Sequence, residues 1–383
     1  MSLLNDGSDI TEKRKLEHIL INLEKNVNTT RSSGFDDLYL KHNAVPNIDM
    51  DKISTKTKFL NKTLNFPLLI SAMTGGTRTA EKINGILAQA AEETGIAMAV
   101  GSQRAAIENP NLEYTYSIVR KKAPNAIIIG NIGAPQIAIK YGYSEIKRAI
   151  DMIDADAIAI HFNALQEAVQ PEGDVKFSKV LERLDAIINK LEIPIIAKET
   201  GAGMSREDAL LLASHNIKYI DIGGLGGTSF SAVEVYRAEK NGDNEKKHLG
   251  KLFWDWGIPT AISLIEVSSV DDVHIIASGG IRNGIDMCKA LVLGAELVGI
   301  ARPFLKPAYD GDLDAVKYKI KLLEKELRTC MFLIGAHNID SLKEKDIIIT
   351  GFVAEWIRAR FGFENGNTLI SKLANRTSTN IFK

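Results

Sequence analysis

The sequence predicts an α/β fold, a (β/α)8 TIM barrel in which eight parallel strands alternate with helices. Short apolar runs that end in glycine or a polar residue occur eight times between positions 66 and 300. Stretches with helical periodicity separate most of these runs. The runs begin roughly 25 to 37 residues apart, as expected for repeated strand-helix units. An open, doubly wound sheet is the competing α/β arrangement.

The elements follow from this periodicity in chain order. The predicted strands are 66–72, 96–101, 126–130, 157–160, 194–197, 219–222, 273–277 and 297–300. The clearest predicted helices are 80–93, 143–153, 177–191, 206–215 and 284–293. The longest interval between runs contains an insertion over 229–258, which we interpret either as a lid on the catalytic face or as a contact between subunits.

The chain divides into four predicted regions. Residues 1–65 form an N-terminal helical and irregular segment, with a helix over 9–21. This segment is expected to close over the functional site of the barrel. Residues 66–310 form the barrel, and 311–363 form C-terminal helices that complete it. Residues 364–383 are rich in Asn, Thr and Ser, a composition typical of a partly disordered polar tail.

Composition excludes several classes of function. The 47 basic and 48 acidic residues give a net charge of -1, which argues against nucleic acid as the main partner. Two cysteines are too few for a disulfide framework. No apolar run approaches the roughly 20 residues that span a bilayer, and the N-terminal region lacks a signal-peptide core. We therefore expect a cytoplasmic protein without a membrane partner.

The segment 161–174 carries the most chemistry, because polar side chains directly follow the buried run 157–160. It supplies an imidazole from His161, amides from Asn163 and Gln166, and a carboxylate from Glu167. Such groups can grip an anion, move a proton and hold a metal. The alternative is a polar loop that caps the barrel.

Glycine-rich segments follow the sixth and seventh predicted strands, and Ala301-Arg302 follows the eighth. Backbone N–H groups in such segments can cradle phosphate oxygens, and barrels commonly build phosphate sites there. The segments contain Thr228, Gly279, Gly280, Arg282, Ala301 and Arg302. Glycines that only form tight turns are the alternative.

Six further polar positions are candidates. Lys198 ends the apolar run 194–197, where it suits the N1 edge of a flavin or a salt bridge to a barrel carboxylate. Arg104 offers a forked donor for phosphate oxygens, and Asn131 an amide at the end of a strand. Arg14 and Lys15, with His18 nearby, form a basic cluster of a kind usually solvated on a surface helix.

These stretches closely resemble the type 2 isopentenyl diphosphate isomerases, the FMN-dependent barrel enzymes of isoprenoid synthesis. The resemblance covers roughly 14–352. It rests on Arg14-Lys15-x-x-His18, Ser71-Ala72-Met73-Thr74-Gly75-Gly76, Gly101-Ser102-Gln103-Arg104, Gly130-Asn131-Ile132-Gly133, the segment 161–174, Lys198-Glu199-Thr200-Gly201, Gly226-Gly227-Thr228-Ser229 and Ser278-Gly279-Gly280-Ile281-Arg282.

The resemblance implies isomerisation of isopentenyl diphosphate to dimethylallyl diphosphate, with FMN, Mg2+ and NADPH as the flavin reductant. The implied FMN contacts are Ala72, Met73, Thr74, Ser102, Asn131, Lys198, Thr228, Gly279, Gly280, Arg282, Ala301 and Arg302. The implied diphosphate-substrate contacts are Arg14, Lys15, His18, Ser102, Gln103, Arg104, His161, Asn163 and Gln166. Gln166 and His161 are the implied catalytic residues, and Glu167 the Mg2+ ligand.

The same resemblance implies a homo-oligomer, either a tetramer or an octamer, in which the basic helix closes over the diphosphate within its own subunit or a neighbour's. Two positions depart from the family pattern. Phe162 stands where leucine is expected, and Gly223 where many members have serine; both bear on pocket packing.

Three other functions remain as alternatives. An FMN-dependent oxidoreductase of 2-hydroxy acids would use the same barrel. An IMP dehydrogenase-like enzyme needs a nucleophilic cysteine, but neither Cys288 nor Cys330 lies in a strand-end loop. A non-enzymatic flavin sensor would not need the crowded diphosphate-binding groups.

Overall fold

The computed structural model describes residues 6–376, and their side chains from position 12 onward. Within that range the strands are β1 (Leu38–Leu40), β2 (Thr57–Phe59), β3 (Lys62–Leu64), β4 (Leu68–Ile70), β5 (Ala97–Ala99), β6 (Ile128–Gly133), β7 (Ala157–Phe162), β8 (Ile195–Glu199), β9 (Tyr219–Asp221), β10 (His274–Ser278), β11 (Leu297–Ile300) and β12 (Ile347–Ile349).

The helices surround and extend this set. They are α1 (Asp6–Glu24), α2 (Arg78–Thr94), α3 (Arg104–Glu108), α4 (Tyr114–Lys122), α5 (Ala134–Ile139), α6 (Tyr143–Ile153), α7 (Ala164–Val169), α8 (Val180–Ile188), α9 (Arg206–Ser214), α10 (Phe230–Asn241), α11 (Asn244–Leu252), α12 (Thr260–Ser268), α13 (Gly284–Val292), α14 (Arg302–Asp310), α15 (Leu313–Leu333), α16 (Ile339–Lys343), α17 (Gly351–Phe361) and α18 (Phe363–Ala374). None of these helices is long and apolar enough to cross a membrane.

Strands β4 to β11 form a closed parallel barrel. The predicted (β/α)8 fold is therefore confirmed, and the alternative of an open, doubly wound sheet is wrong. The barrel closes where β11 pairs with β4, in a register that matches Ile300 with Ile70. Each of the eight predicted runs overlaps one barrel strand, because each is an apolar segment buried on both faces.

Alternation along the strands separates two layers of core. Leu69, Ala99 and Ile129 belong to a cluster of inward-facing side chains, whereas the outward-facing residues pack against the helices. The antiparallel hairpin of β2 and β3 adds Phe59 and Leu64 to the inner cluster. The hairpin therefore fills the amino end of the barrel, and its carboxyl end is left for a site.

The C-terminal region differs from the prediction in two respects. A short strand, β12, interrupts the predicted helices and pairs antiparallel with β1. Residues 364–374, predicted as part of a polar tail, lie in helix α18, because its Leu369, Ile370 and Leu373 pack on the core. The tail prediction is wrong for that stretch, and 377–383 lie outside the described residues.

Candidate functional site

A cavity of about 270 Å3 lies at the carboxyl ends of the barrel strands, with α1 lying across it. It is lined by the predicted residues Arg14, Lys15, His18, Ala72, Met73, Thr74, Ser102, Arg104, Asn131, His161, Asn163, Gln166, Glu167, Lys198, Thr228, Gly279, Gly280, Arg282, Ala301 and Arg302. Positions scattered over nearly 300 residues of sequence thus share one cavity, as the barrel prediction requires.

Strand alternation explains why polar groups point into this cavity. In β7, Ala157 and Ala159 face the barrel interior, so His161 continues the same face at the strand end. Lys198 follows Ile196 on β8 in the same way. The remaining polar residues that extend an inner face are Ser71, Asn131, Asp221 and Ser278.

Gln103 is the one predicted substrate ligand that does not line the cavity. Its side chain is fully buried, and Nε2 donates to the Ala149 carbonyl at 2.7 Å while Oε1 accepts from the Asn131 backbone at 2.9 Å. Both ends of the amide are therefore engaged in joining β6 to α6. The substrate role predicted for Gln103 is replaced by a structural one.

Lys198 forms a salt bridge with a barrel carboxylate, as one of the two interpretations from sequence predicts. It also lines the cavity. Its Nζ donates to Asp221 Oδ2 at 2.8 Å and to the Glu199 carbonyl at 3.1 Å. Asp221 in turn accepts from the Ser278 hydroxyl. An ammonium has three donors, so one N–H of Lys198 remains for a ligand in the cavity.

The glycine segments after β9 and β10 approach each other at backbone distance. A Cβ on Gly279 would stand 2.0 Å from the Gly224 carbonyl oxygen, and one on Gly280 2.4 Å from that of Gly226. Both have left-handed φ angles, 109° and 73°, which favour glycine. The N–H groups of Gly279 and Gly280 donate to nothing within the described chain, so they are free to bind an anion.

Arg282 reinforces this anion site. Its guanidinium donates only to the neighbouring Ile281 carbonyl, and it forms no ion pair with any described residue. Burial and the nearby Arg302 charge lower the pKa of Arg282. A cation without an ion pair, beside free N–H groups, fits the phosphate of FMN.

Arg302 lines the cavity and also holds the end of α1. Its guanidinium donates to the Asn22 and Lys25 carbonyls and to Asn28 Oδ1 at 2.6–3.2 Å. These bonds fasten the end of α1 to the barrel and use three of the five guanidinium N–H groups. The predicted contact of Arg302 with the FMN phosphate stays a prediction.

Lys15 lies at the centre of a cationic cluster. Its Nζ donates to the Ser102 carbonyl and the Tyr116 hydroxyl, both at 2.7 Å. Burial, with the charges of Arg14 and Arg104, lowers the pKa of Lys15 to about 7. Arg14, Lys15 and Arg104 converge on the cavity wall, so the cluster is suited to a diphosphate and the solvated-surface alternative is wrong.

Two carboxylates hold Arg104 beside the cavity. Its Nε donates to Glu108 at 3.0 Å and one terminal nitrogen to Asp174 at 3.3 Å. Asp174 comes from the predicted reactive segment, so this contact links α3 to the loop after α7. The remaining guanidinium N–H groups are available to phosphate oxygens.

His161 is electrically neutral in this setting. Burial and the charges of Lys198, Lys15 and Arg14 lower its pKa to about 3. Nδ1 lies 2.7 Å from Asn131 Oδ1, an arrangement in which Nδ1 carries the proton and Nε2 remains an acceptor. A bound anion would favour the protonated ring, which donates from both nitrogens.

Gln166 lies in a hydrogen-bonded chain that crosses from α7 to α10. Its Nε2 donates to Glu234 Oε1 at 3.4 Å, and its Oε1 accepts from Asn163 at 3.4 Å. His18 Nε2 lies 3.0 Å from the same Glu234 oxygen. Burial would raise the pKa of Glu234, but His18 and Arg237 outweigh it and lower the pKa to about 2.

Glu167 is a buried carboxylate held by neutral donors. Asn163 Nδ2, Gln170 Nε2 and the Asp174 backbone donate to it at 2.8, 2.5 and 2.7 Å. Within the described chain it forms no ion pair, and no group of three or more His, Cys, Asp or Glu side chains there is arranged to hold a metal ion by itself. A single carboxylate that lines the cavity and has no cationic partner fits a Mg2+ ion whose other ligands are diphosphate oxygens and water.

Three functional positions were not predicted from sequence. Glu234 and Arg237 lie in the 229–258 insertion. The pattern in the sequence that could have identified them is an acidic and a basic residue three positions apart on a helix. Tyr116 packs beneath Lys15 and donates to the Ser102 carbonyl at 2.5 Å, but no local pattern marks it. The insertion forms α10 and α11, and α10 packs on α1 and α7 at the cavity.

The departure at Gly223 has a structural reason. Its φ is +47°, and a Cβ would stand 2.1 Å from the Glu199 carbonyl oxygen, so serine does not fit this backbone. Phe162 ends β7 partly buried against the core, where a larger side chain replaces the expected leucine.

Comparison with known proteins agrees with this geometry. A family model for FMN-dependent dehydrogenases matches residues 164–349. The chain is 51% identical over 366 residues to the isopentenyl-diphosphate delta-isomerase of Pyrococcus furiosus, covering 94% of this chain and 92% of the relative. It is 48% identical over 351 residues to that of Methanothermobacter thermautotrophicus, covering 92% and 97%.

Solved structures with a similar fold are more distant in sequence. A mutant flavocytochrome b2 aligns with a TM-score of 0.63 at 18% identity, over 86% of this chain and 82% of that one. A mutant mandelate oxidase with an FMN adduct aligns with a TM-score of 0.56 at 16% identity, over 89% and 96%. These likenesses show the barrel fold alone.

Proposed function

The chain belongs to the isopentenyl-diphosphate delta-isomerase family, and from that premise we propose that it converts isopentenyl diphosphate to dimethylallyl diphosphate over reduced FMN. The reaction adds a proton to the terminal alkene carbon and removes one from the carbon on the other side, so it is redox-neutral. We further propose that it needs Mg2+, that NADPH reduces the flavin, and that it operates in the cytoplasm.

The observation that carries this proposal is the division of one cavity into two anion sites. One is the cradle of Gly279, Gly280 and Arg282, which suits the FMN phosphate. The other is the cluster of Arg14, Lys15 and Arg104, which suits a diphosphate. Gln166 and Glu167 line the same cavity, which supports the proposed roles of Gln166 in proton transfer and of Glu167 as a metal ligand.

The cations around the second site have a binding role in this proposal. Arg14, Lys15 and Arg104 neutralise the diphosphate, while Glu167 holds Mg2+ against it. The same grip aligns the alkene with the cavity interior.

Protonating an unactivated alkene creates a tertiary-cation-like state, so the site needs a positioned acid and an electron-rich surface. Reduced FMN supplies both when it is bound, through its ring face and N5. Gln166 is too weak an acid to act alone, but its amide can donate and accept. Its bonds to Asn163 and Glu234 hold that amide in one orientation.

Lys198 is proposed to contact the flavin ring. Its free N–H points into the cavity, and its pairing with Asp221 keeps the ammonium at the inner face of β8. A cation there stabilises the anionic reduced form of a flavin.

The test is an anaerobic assay of the purified protein with FMN, Mg2+ and either NADPH or dithionite. We expect many turnovers of isomerisation per equivalent of reductant. Equal activity with oxidised flavin or without flavin would contradict the proposal.

The family-model match over 164–349 favours an FMN-dependent oxidoreductase as the second candidate. Such an enzyme needs a base to take a proton from its substrate. His161, whose pKa is lowered to about 3, is a poor one. Stoichiometric oxidation of a 2-hydroxy acid would support this second candidate instead.

A further inference from the structure

Arg237 on α10 is the centre of a buried group of carboxylates. Its Nε donates to Glu17 at 3.3 Å, and its two terminal nitrogens donate to Glu234 at 2.7 Å and Glu172 at 2.6 Å. Only 5% of the Arg237 side chain is exposed, and Glu234 is fully buried. The three carboxylates come from α1, from α10 and from the loop after α7.

Each carboxylate is connected to a residue that lines the cavity, either by direct contact or through helix α1. Glu234 Oε1 accepts from Gln166 at 3.4 Å and lies 3.0 Å from His18. Glu172 Oε1 lies 3.9 Å from the Arg14 guanidinium. Glu17 is on α1 itself, between Arg14 and His18, and also accepts from Lys240 at 2.7 Å.

Charge and geometry make arginine the required residue at this position. Three carboxylates so close together repel one another unless a cation lies between them. A guanidinium can donate hydrogen bonds to all three carboxylates at once from its three separate nitrogens. The single nitrogen of a lysine lies on a shorter, unforked chain and cannot reach all three. Burial alone would lower the pKa of Arg237, but Glu234 and Glu172 raise it.

We propose that Arg237 is a positioning residue that locks α1 over the cavity, and that it thereby sets the places of Arg14 and Gln166. Arg237 itself does not line the cavity. The inference rests on the proposed function for its catalytic consequence, because Arg14 and Gln166 are assigned there to the diphosphate and to proton transfer.

The test compares holoenzyme carrying Arg237→Lys or Glu17→Gln with the wild type. Three quantities are measured: the affinity for inorganic pyrophosphate with Mg2+, the split between KM and kcat for isopentenyl diphosphate, and hydrogen exchange of the α1 amides. We expect pyrophosphate affinity to fall and KM to rise, each on the order of tenfold. Faster exchange in α1 is also expected, with the proportion of bound FMN unchanged.

Arg120→Lys is the matched control. Arg120 is also a largely buried arginine, with donors to Asp156 and to backbone carbonyls, but it lies at the amino end of the strands. It should change stability without changing KM or α1 exchange.

Unchanged pyrophosphate affinity, KM and α1 exchange in Arg237→Lys would overturn the inference. If Arg237→Lys does not fold, Glu17→Gln decides by the same three readouts. If the wild type neither binds pyrophosphate nor isomerises, the proposed function fails, and α1 exchange still decides whether Arg237 locks the helix.

Discussion

At the scale of single residues, the cavity is lined by several basic side chains and by the buried carboxylate of Glu167. Lys15 shows the consequence for protonation. Burial and two neighbouring arginines lower its pKa to about 7, so its charge changes within the physiological range. A diphosphate would reverse that effect, because an opposite charge at close range favours the ammonium.

Substrate binding should therefore weaken as pH rises. Below about pH 7 the free enzyme already carries the Lys15 charge, so KM is flat with pH. Above it, binding must take up a proton, and KM should rise up to about tenfold per pH unit until the pKa of the complex is reached. KM measured from pH 6 to 9 checks this.

Lys15→Arg is the control, because arginine stays charged across that range. The rise in KM above pH 7 should disappear in this variant. A variant that retains the full pH dependence would assign the titration to another group.

Gln166→Ala should lower kcat by about 100-fold or more, the usual contribution of a positioned proton-transfer group. FMN binding should persist, because the cradle of Gly279, Gly280 and Arg282 is unaltered. Turnover per bound FMN, with flavin measured by absorbance, is the relevant quantity. Unchanged turnover per flavin would remove Gln166 from the reaction.

Glu167→Gln should weaken the Mg2+-dependent component of substrate binding by about tenfold or more, because the amide cannot supply a charge to the ion. Titrating Mg2+ at fixed substrate gives the apparent metal affinity. The same Mg2+ requirement in both enzymes would show that Glu167 is not a ligand.

At the scale of elements, the loops after β9 and β10 depend on glycine for close approach. Gly279→Ala would place a Cβ 2.0 Å from the Gly224 carbonyl oxygen at a φ of 109°. The loops must then separate, which would also move the free N–H groups.

We expect Gly279→Ala to reduce FMN affinity strongly and to destabilise the protein by about 2 kcal/mol. Fluorescence titration of FMN and thermal unfolding of the apoprotein measure the two effects. Gly242→Ala, also at a positive φ but with nothing near its Cβ, is the control for strain alone. Equal FMN affinity in both variants would contradict the cradle.

At the scale of the whole molecule, the barrel exposes large apolar side chains away from the cavity. Tyr318, Phe363 and Trp256 are each more than half exposed. Trp256 belongs to the insertion over 229–258, for which a contact between subunits is one of the two interpretations from sequence.

We predict a homo-oligomer, either a tetramer or an octamer. Light scattering after size-exclusion chromatography, with and without substrate, gives the mass directly. Trp256→Ser and Leu252→Ser test whether α11 and the segment after it form the contact: a smaller assembly is expected if they do. A monomeric wild type would rule the assembly out.

Much of the site could be predicted from sequence because barrel geometry places strand ends together. Strand alternation then points His161 and Lys198 inward from their apolar neighbours. Local sequence patterns were sufficient to predict that His161 and Lys198 face inward, since the two-residue alternation of a strand depends only on the nearest few positions.

Other residues depended on contacts that no local pattern contains. Gln103 belongs to a motif of the cavity, yet its amide turns away because Ala149 and Asn131 satisfy it. The guanidinium of Arg302 binds the end of α1, about 280 residues earlier in the chain.

The sequence by itself determined the barrel, the carboxyl-end face and most cavity residues, because short-range alternation and strand length fix them. Only the tertiary structure decided how α1 is held, through Arg237 and three carboxylates from separate segments. Whether a buried charge is stabilised depends on neighbours brought together by folding, and those distances are not encoded at any single position.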